Sequence, residues 1–340
     1  MKRISFAAIF ILIFLFSSLV FSSIFTISEK SPINVTAGKS VYYWEIERII
    51  LEISNKNKPK IVQGNNVLIA DTIIYDDKNE IGYAYGHLVF QNKKEQTVLT
   101  AGEGTYYTKE KKMIVQKNPI IYLKKDGTVA KSDTMTFFTD KDYMILEGNV
   151  EIKGKEFTIT GDKARYNQGG GMFTVTGHAK TVDKSQVLTA NMIEVLSKDD
   201  KLSSYTATGN VVIENTNDNY LIKSGKLDYY EALGYSRISD NPVIEFKKNN
   251  IKAYSTVMEK YDDEEKANLL GNVVIITGDK KAFSKWGVYD FKSESMILTG
   301  NPILLQGKTK MNALKIIVDV AKETMSMQGG GSGIFEYKKK

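Results

Sequence analysis

At 340 residues the chain is long enough for two or three ordinary domains, and it has no cysteine, which excludes disulfides, thiolate metal sites and cysteine nucleophiles. Twenty-six glycines, nineteen tyrosines and fifteen phenylalanines against only five prolines favour many short strands joined by tight turns. The net charge of +6 is interspersed along the chain and partly terminal, which fits a solvated mixed-charge surface and no nucleic-acid partner.

Met1-Lys2-Arg3 precedes a nearly uninterrupted apolar run over residues 4–27. A basic start before such a run directs export, so residues 1–28 read as a signal peptide or a membrane anchor, in either case one N-terminal apolar helix. Val20-Phe21-Ser22 and Thr26-Ile27-Ser28 are acceptable cleavage sites, yet the run is also long enough to span a bilayer. Both alternatives place the body outside the cytoplasm. Ile33-Asn34-Val35-Thr36-Ala37 starts the first strand. Residues 41–53 could make an amphipathic turn or two, but Val41-Tyr42-Tyr43 favours strand, and the segment reads as an elaborated first repeat capping one end of a stack.

From Lys117 onward one phrase returns every twenty-nine to thirty-two residues, a Gly/Asn corner followed by a short alternating apolar strand. It reads Gly148-Asn149-Val150-Glu151-Ile152, Gly209-Asn210-Val211-Val212-Ile213 and Gly271-Asn272-Val273-Val274-Ile275. Asn118-Pro119-Ile120, Asn241-Pro242-Val243 and Asn301-Pro302-Ile303 are proline-bearing variants, and Gly177-His178-Ala179 is a degenerate copy. The corners fall at Gly64, Gly86, Lys117, Gly148, Gly177, Gly209, Asp240, Gly271, Gly300 and Gly329, with only the first interval out of step. Between them a small residue stands five positions before an aromatic or apolar one, as in Ala70 to Tyr75, Ala101 to Tyr106 and Gly161 to Tyr166. Ala130 to Met135 and Ala253 to Met258 fit the same slot. Self-similarity at such a period means stacked supersecondary units.

Alternation within the repeat assigns faces. The second and fourth positions after each corner are apolar (Leu88 and Phe90, Val150 and Ile152, Val211 and Ile213, Val273 and Ile275), whereas the third varies, so period two directs the second and fourth inward. Polar stretches at 215–219, 199–200 and 262–265 read as hairpin tips, and Gly329 to Gly333 as a turn after the last strand. No linker interrupts the body, which predicts one continuous domain of about ten repeats over residues 33–335, then a basic tail at 336–340.

Catalytic chemistry has no visible seat. The two histidines, His87 and His178, both replace a corner asparagine, so a turn role explains them. Residues 215–219 faintly suggest a calcium loop but lack its turn glycine and distal glutamate, and no serine elbow, Walker loop or dinucleotide fingerprint occurs. No cofactor or metal is predicted. The corner asparagines can bond to one another in a ladder or support a left-handed backbone.

Export signal, absence of cysteine and the two-phrase repeat together resemble the OstA-like family, the Lpt periplasmic lipopolysaccharide-transport β-jellyroll proteins. The resemblance rests on Ala70-Asp71-Thr72-Ile73-Ile74-Tyr75-Asp76-Asp77 through Gly86-His87-Leu88-Val89, and on Gly161-Asp162-Lys163-Ala164-Arg165-Tyr166 through Gly177-His178-Ala179. It implies an all-β, elongated antiparallel jellyroll, a V-shaped trough open at both ends whose inner wall receives lipid acyl chains. It further implies a non-enzymatic periplasmic carrier or bridge for lipopolysaccharide or a related glycolipid. Partners implied are other bridge jellyrolls joined by edge-to-edge strand pairing, an inner-membrane ABC transporter complex and an outer-membrane barrel. The inner-wall candidates are Leu88, Phe90, Val150, Ile152, Val211, Ile213, Val273 and Ile275, followed by Tyr166 and Tyr229. A structural or adhesive surface β-solenoid with a closed core is the competing reading.

Overall fold

The computed structural model describes residues 31–124, 127–141, 143–167, 170–198, 201–215, 220–261, 263–329 and 332–334. The apolar run at 4–27, most of the 215–219 loop, residues 199–200 and the 336–340 tail lie outside the described residues. Among the described residues all regular structure is strand, apart from two single 3-10 turns at Trp44–Ile46 and Glu231–Leu233. The pairings that follow are all antiparallel. The capping repeat is strand Lys39–Tyr43, the first of those turns, and strand Arg48–Glu52.

Where continuity of sequence predicts a single body, the chain groups into two compact units. The N-terminal unit holds the described part of Leu12–Ala179 with Glu194–Leu202; the C-terminal unit holds Lys180–Ile193 and the described part of Ser203–Lys340. Stacked repeats touch mainly their neighbours, so such a grouping requires no linker.

Long strands organise each unit. Strand Ile81–Asn92 pairs through its first half with Thr72–Asp76 and through its second half with Asn66–Ile69. Thr97–Tyr107, Tyr143–Lys153, Tyr220–Tyr230, Lys266–Thr277 and Lys280–Asp290 behave likewise, each bonding one neighbour before its midpoint and another after it. The sheet therefore splits into two leaves that share their long strands. We call the leaf containing Ile81 to Tyr85 the lower leaf and the one containing Leu88 to Asn92 the upper leaf.

The split follows from the corners. At each corner from Gly86 to Gly300, two consecutive residues take positive φ: Gly148 (76°) and Asn149 (49°), Gly86 (73°) and His87 (46°), Gly271 (70°) and Asn272 (49°). Glycine meets this demand without steric cost, and Asn and His enter the left-handed region more readily than other side chains. Ladder register jumps there, from Glu147 to Val150 and from Tyr85 to Leu88, so the strand kinks as at a β-bulge. A crossing N–H spans the kink at Gly86, Gly148 and Gly271: that of Asp133 donates to the carbonyls of Glu147 (3.1 Å) and Gly148 (2.9 Å), and that of Thr256 to Leu270 (3.0 Å) and Gly271 (2.8 Å). In the proline variants the same pair, Lys117 (63°) and Asn118 (58°), precedes a residue with no N–H, and the strand is interrupted there.

Corner side chains turn to the crossing strand. Asn149 Nδ2 donates to Asp133 Oδ2 at 2.9 Å and Asn210 Nδ2 to Asn191 Oδ1 at 3.2 Å. His87 and His178 place Nδ1 at 2.6 Å and 3.0 Å from Asp71 and Asp162, which makes them corner residues as well. Two readings of the sequence need correction. Gly64 is no corner: Gly64-Asn65 is the two-residue tip of a hairpin closed by the Gln63/Asn66 pair, and this accounts for the irregular first interval. Gly329 to Gly333 does not follow the last strand, because Ser332–Ile334 pairs with Lys310–Asn312.

Two outcomes follow. A Cβ on Gly148 would lie 2.2 Å from Asp133 Oδ2 and 2.8 Å from its Cγ, whereas one on Gly127 (φ 79°) meets nothing within 4 Å. Gly127→Ala should lose only the left-handed penalty, about 1–2 kcal/mol, and Gly148→Ala about 2–4 kcal/mol because the Asp133 carboxylate must also abandon Asn149. Urea unfolding of both variants measures the difference, and equal losses would show that the corner contact adds nothing. At a lower-leaf tip Arg48 binds Asp76 at 2.6 Å, and with Asn79 it holds the Asp76 carboxyl at about 2, below its ordinary 3.8. A depressed carboxyl contributes stability that is present above its ordinary value and lost as pH falls through the folded one. Asp76→Asn should therefore lower Tm at pH 7, the gap to wild type closing from about pH 4 toward pH 2.

Candidate functional site

Register places inward side chains in rows running across the strands. In the upper leaf of the N-terminal unit one row joins Val35, Ile61, Leu68, Phe90, Leu99, Ile121, Ala130, Ile152 and Ile159, each directly opposite the next. Nine strands thus supply nine apolar side chains and no polar one. The lower leaf answers with Tyr42, Ile49, Tyr75, Gly82, Tyr106, Met113, Phe137, Met144 and Tyr166. Strand alternation alone puts these residues on one face, and β-branched and aromatic types fit a pleated, half-buried surface.

Exposure along both rows falls in one direction. Val35 is 48% exposed, Ile61, Leu68 and Phe90 are half-buried, and Leu99 is 0% exposed. In the lower leaf Tyr42 and Ile49 are exposed, Tyr75, Tyr106 and Met113 half-buried, and Phe137 only 3% exposed. The wall is accessible for several strands at its N-terminal end and sealed beyond them.

The C-terminal unit repeats the pattern. Its upper row is Ile213, Ile222, Ile244, Ala253, Ile275, Ala282, Leu304 and Met311, buried as far as Leu304. Here the leaves touch across the interior: Phe246 packs on Tyr289 with ring centres 4.9 Å apart, Tyr220 on Phe291 at 5.6 Å, and the Asn249 side-chain amide donates to the Val320 carbonyl.

All ten candidate residues from the sequence lie on this inner face. Phe90 and Ile152 share one row and Ile213 and Ile275 another, while Leu88, Val150, Val211 and Val273 sit two positions nearer the corner. Tyr166 ends the lower row of the N-terminal unit, and Tyr229 stacks on Tyr205 at 4.9 Å. Phe90 is half-buried and the other nine are buried.

The alternation rule missed the lower-leaf row, whose signal is the small-to-aromatic phrase read in the right slot. Asp71 and Asp133 make equivalent corner bonds, which aligns Ala70 with Ser132, not with Ala130. The third row member is then Phe137, five after Ser132, and not Met135. The same alignment makes Ser255 to Lys260 the slot in the C-terminal unit, where Met258 was expected. Lys260 is buried there among Ser236, Ala267 and Tyr289, its ammonium 3.4 Å from the Tyr261 carbonyl.

A family model described as lipopolysaccharide-assembly, LptC-related, matches residues 65–184, and one described as LptA/(LptD N-terminal domain) LPS transport protein matches residues 158–324. Among solved structures the chain is similar to LptH, the LptA-homologous periplasmic component of the lipopolysaccharide transport device of Pseudomonas aeruginosa, at 12% identity and a TM-score of 0.20, over 53% of this chain and 95% of that one. No curated protein matches. Bent antiparallel strands, two facing apolar walls and overlapping matches to two components of one transport system, together spanning residues 65–324, support an Lpt-type lipopolysaccharide-transport β-jellyroll family for the chain.

Proposed function

We propose that the chain works as a periplasmic lipopolysaccharide-transport bridge by shielding acyl chains against the inner rows, without catalysing a reaction. One observation carries the reading: the rows are apolar from strand to strand, and in the N-terminal unit they lie open over their first several members. Each CH₂ removed from water stabilises a lipid by about 0.8 kcal/mol, so such a wall holds chains that water rejects. Phe90, Leu88, Val150 and Ile152 line it in the N-terminal unit with Tyr166; Val211, Ile213, Val273 and Ile275 do so in the C-terminal unit with Tyr229.

Edge chemistry supports the bridge role. Among the described residues Ile33–Thr36 pairs only with Lys60–Gln63, and Lys39–Tyr43 only with Arg48–Glu52. Their free edges, beside the exposed Ile33, Tyr43 and Trp44, suit addition of a strand from another bridge jellyroll. An inner-membrane ABC transporter complex on one side and an outer-membrane barrel on the other are the partners such a bridge needs. Residues 4–27, retained, would anchor it to the inner membrane.

Photo-crosslinking tests the wall. A benzophenone side chain at Phe90 should capture lipopolysaccharide in living cells, while one at Val89, on the opposite face of the same strand, should not. Capture of protein alone at both positions would sink the proposal. Leu68→Glu, a carboxylate on the half-exposed stretch, should cut capture by more than about tenfold yet shift unfolding by only about 1 kcal/mol.

A further inference from the structure

The upper leaf of the N-terminal unit changes character in three steps toward its hairpin tips. The apolar row comes first. Two residues farther along the same strands, on the same face, stand Asn66, Asn92, Thr97 and Thr128, with Leu123 between the last two, all buried, and the Asn92 amide donates to Asn66 Oδ1 at 3.0 Å. Last come the tips, bonded to one another: the Lys93 N–H donates to the Asn65 carbonyl at 2.9 Å and the Lys124 N–H to Gln96 at 3.1 Å.

Three consecutive tips each carry an exposed lysine in the same slot of the repeat, Lys93, Lys124 and Lys155, thirty-one residues apart. Two strand spacings separate neighbouring tips, on the order of 10 Å, about one Debye length, so the three fields overlap. Some other cations of the unit are paired: Lys58 with Asp71 and Lys117 with Glu103, both at 2.7 Å, and Lys131 with Glu151 at 3.1 Å. Lys93, Lys124 and Lys155 have no carboxylate partner among the described residues. At the lower tips Asp76 and Glu80 are paired with Arg48 and Lys109.

We infer that this upper lip is the binding site for the phosphorylated headgroup of the amphiphile whose chains lie on the apolar row. The inference rests on the acyl-chain reading above and extends it to the polar end of the ligand. Apolar row, amide-and-hydroxyl band and cationic lip follow the order of chain, linkage and phosphate in an anionic lipid. The band, whose amides and hydroxyls bond within the leaf, separates the apolar row from the lip, where a multiply charged phosphate can meet more than one ammonium.

The test uses the full chain and three probes: lipopolysaccharide, the same lipid dephosphorylated enzymatically, and inorganic phosphate. The variant Lys93→Gln/Lys124→Gln/Lys155→Gln should bind the phosphorylated lipid about tenfold more weakly and with a flatter salt dependence, and the dephosphorylated lipid as wild type does. Removing three lower-tip charges, Lys109→Gln/Lys111→Gln/Lys141→Gln, should change either affinity by less than about twofold. Equal losses in the two triple variants, or wild-type binding indifferent to dephosphorylation, would overturn the headgroup site and leave the acyl-chain reading intact. Inorganic phosphate that saturates the lip at millimolar concentration without competing with the lipid would assign it to free phosphate and overturn the inference. Failure of the wild-type chain to bind either lipid would overturn both readings.

Discussion

Everything in this fold depends on two consecutive left-handed residues. An L-amino acid strand that stays in the extended region pairs with the same two neighbours throughout. By forcing Gly148 and Asn149, or Gly86 and His87, to positive φ, the chain kinks a strand at its middle and hands its second half to different partners. The bifurcated N–H of Asp71 or Asp133 holds the kink closed, so the interruption leaves the crossing donor satisfied. Two leaves then share one set of strands, and the residues after each corner must face those before it.

That geometry gives a wall with unusual uniformity. Each strand contributes one side chain per row, and lateral register keeps the rows apolar over nine strands. Burial of a Leu or Ile side chain stabilises by about 1.5–3 kcal/mol, so the sealed part of the rows is also the core that holds each unit together. Stability and the proposed lipid shielding therefore draw on the same surface. In the C-terminal unit, ring contacts between leaves, Phe246 on Tyr289 and Tyr220 on Phe291, add to that core.

Period, corners and inward positions were legible because each is dictated locally. Gly-Asn reports φ directly, and alternation reports the face, so Val150, Ile152, Val211 and Ile213 could be assigned without knowing their partners. What escaped was the count of residues at the crossing. Ala130-Lys131-Ser132-Asp133 is two longer than Ala70-Asp71, and because two is the strand period the slip leaves the face unchanged and only displaces the row, from Phe137 to Met135. Gly64-Asn65 was misread for the converse reason: one dipeptide suits both a strand corner and a hairpin tip, and only pairing distinguishes them. The tip lysines were invisible because an isolated turn lysine looks like any solvated charge until register lines it up with two others.

The fall in exposure along the rows sets the mechanics of filling. At Ile61, Leu68 and Phe90 an incoming chain displaces water, and the step is downhill. At Leu99 and Ile121, each 0% exposed, the same chain must wedge apart side chains already in contact, and what it gains replaces contacts of equal quality. On the proposed reading the first layers would load spontaneously and the later ones only under a push from behind, like a zip fastener opened from one end.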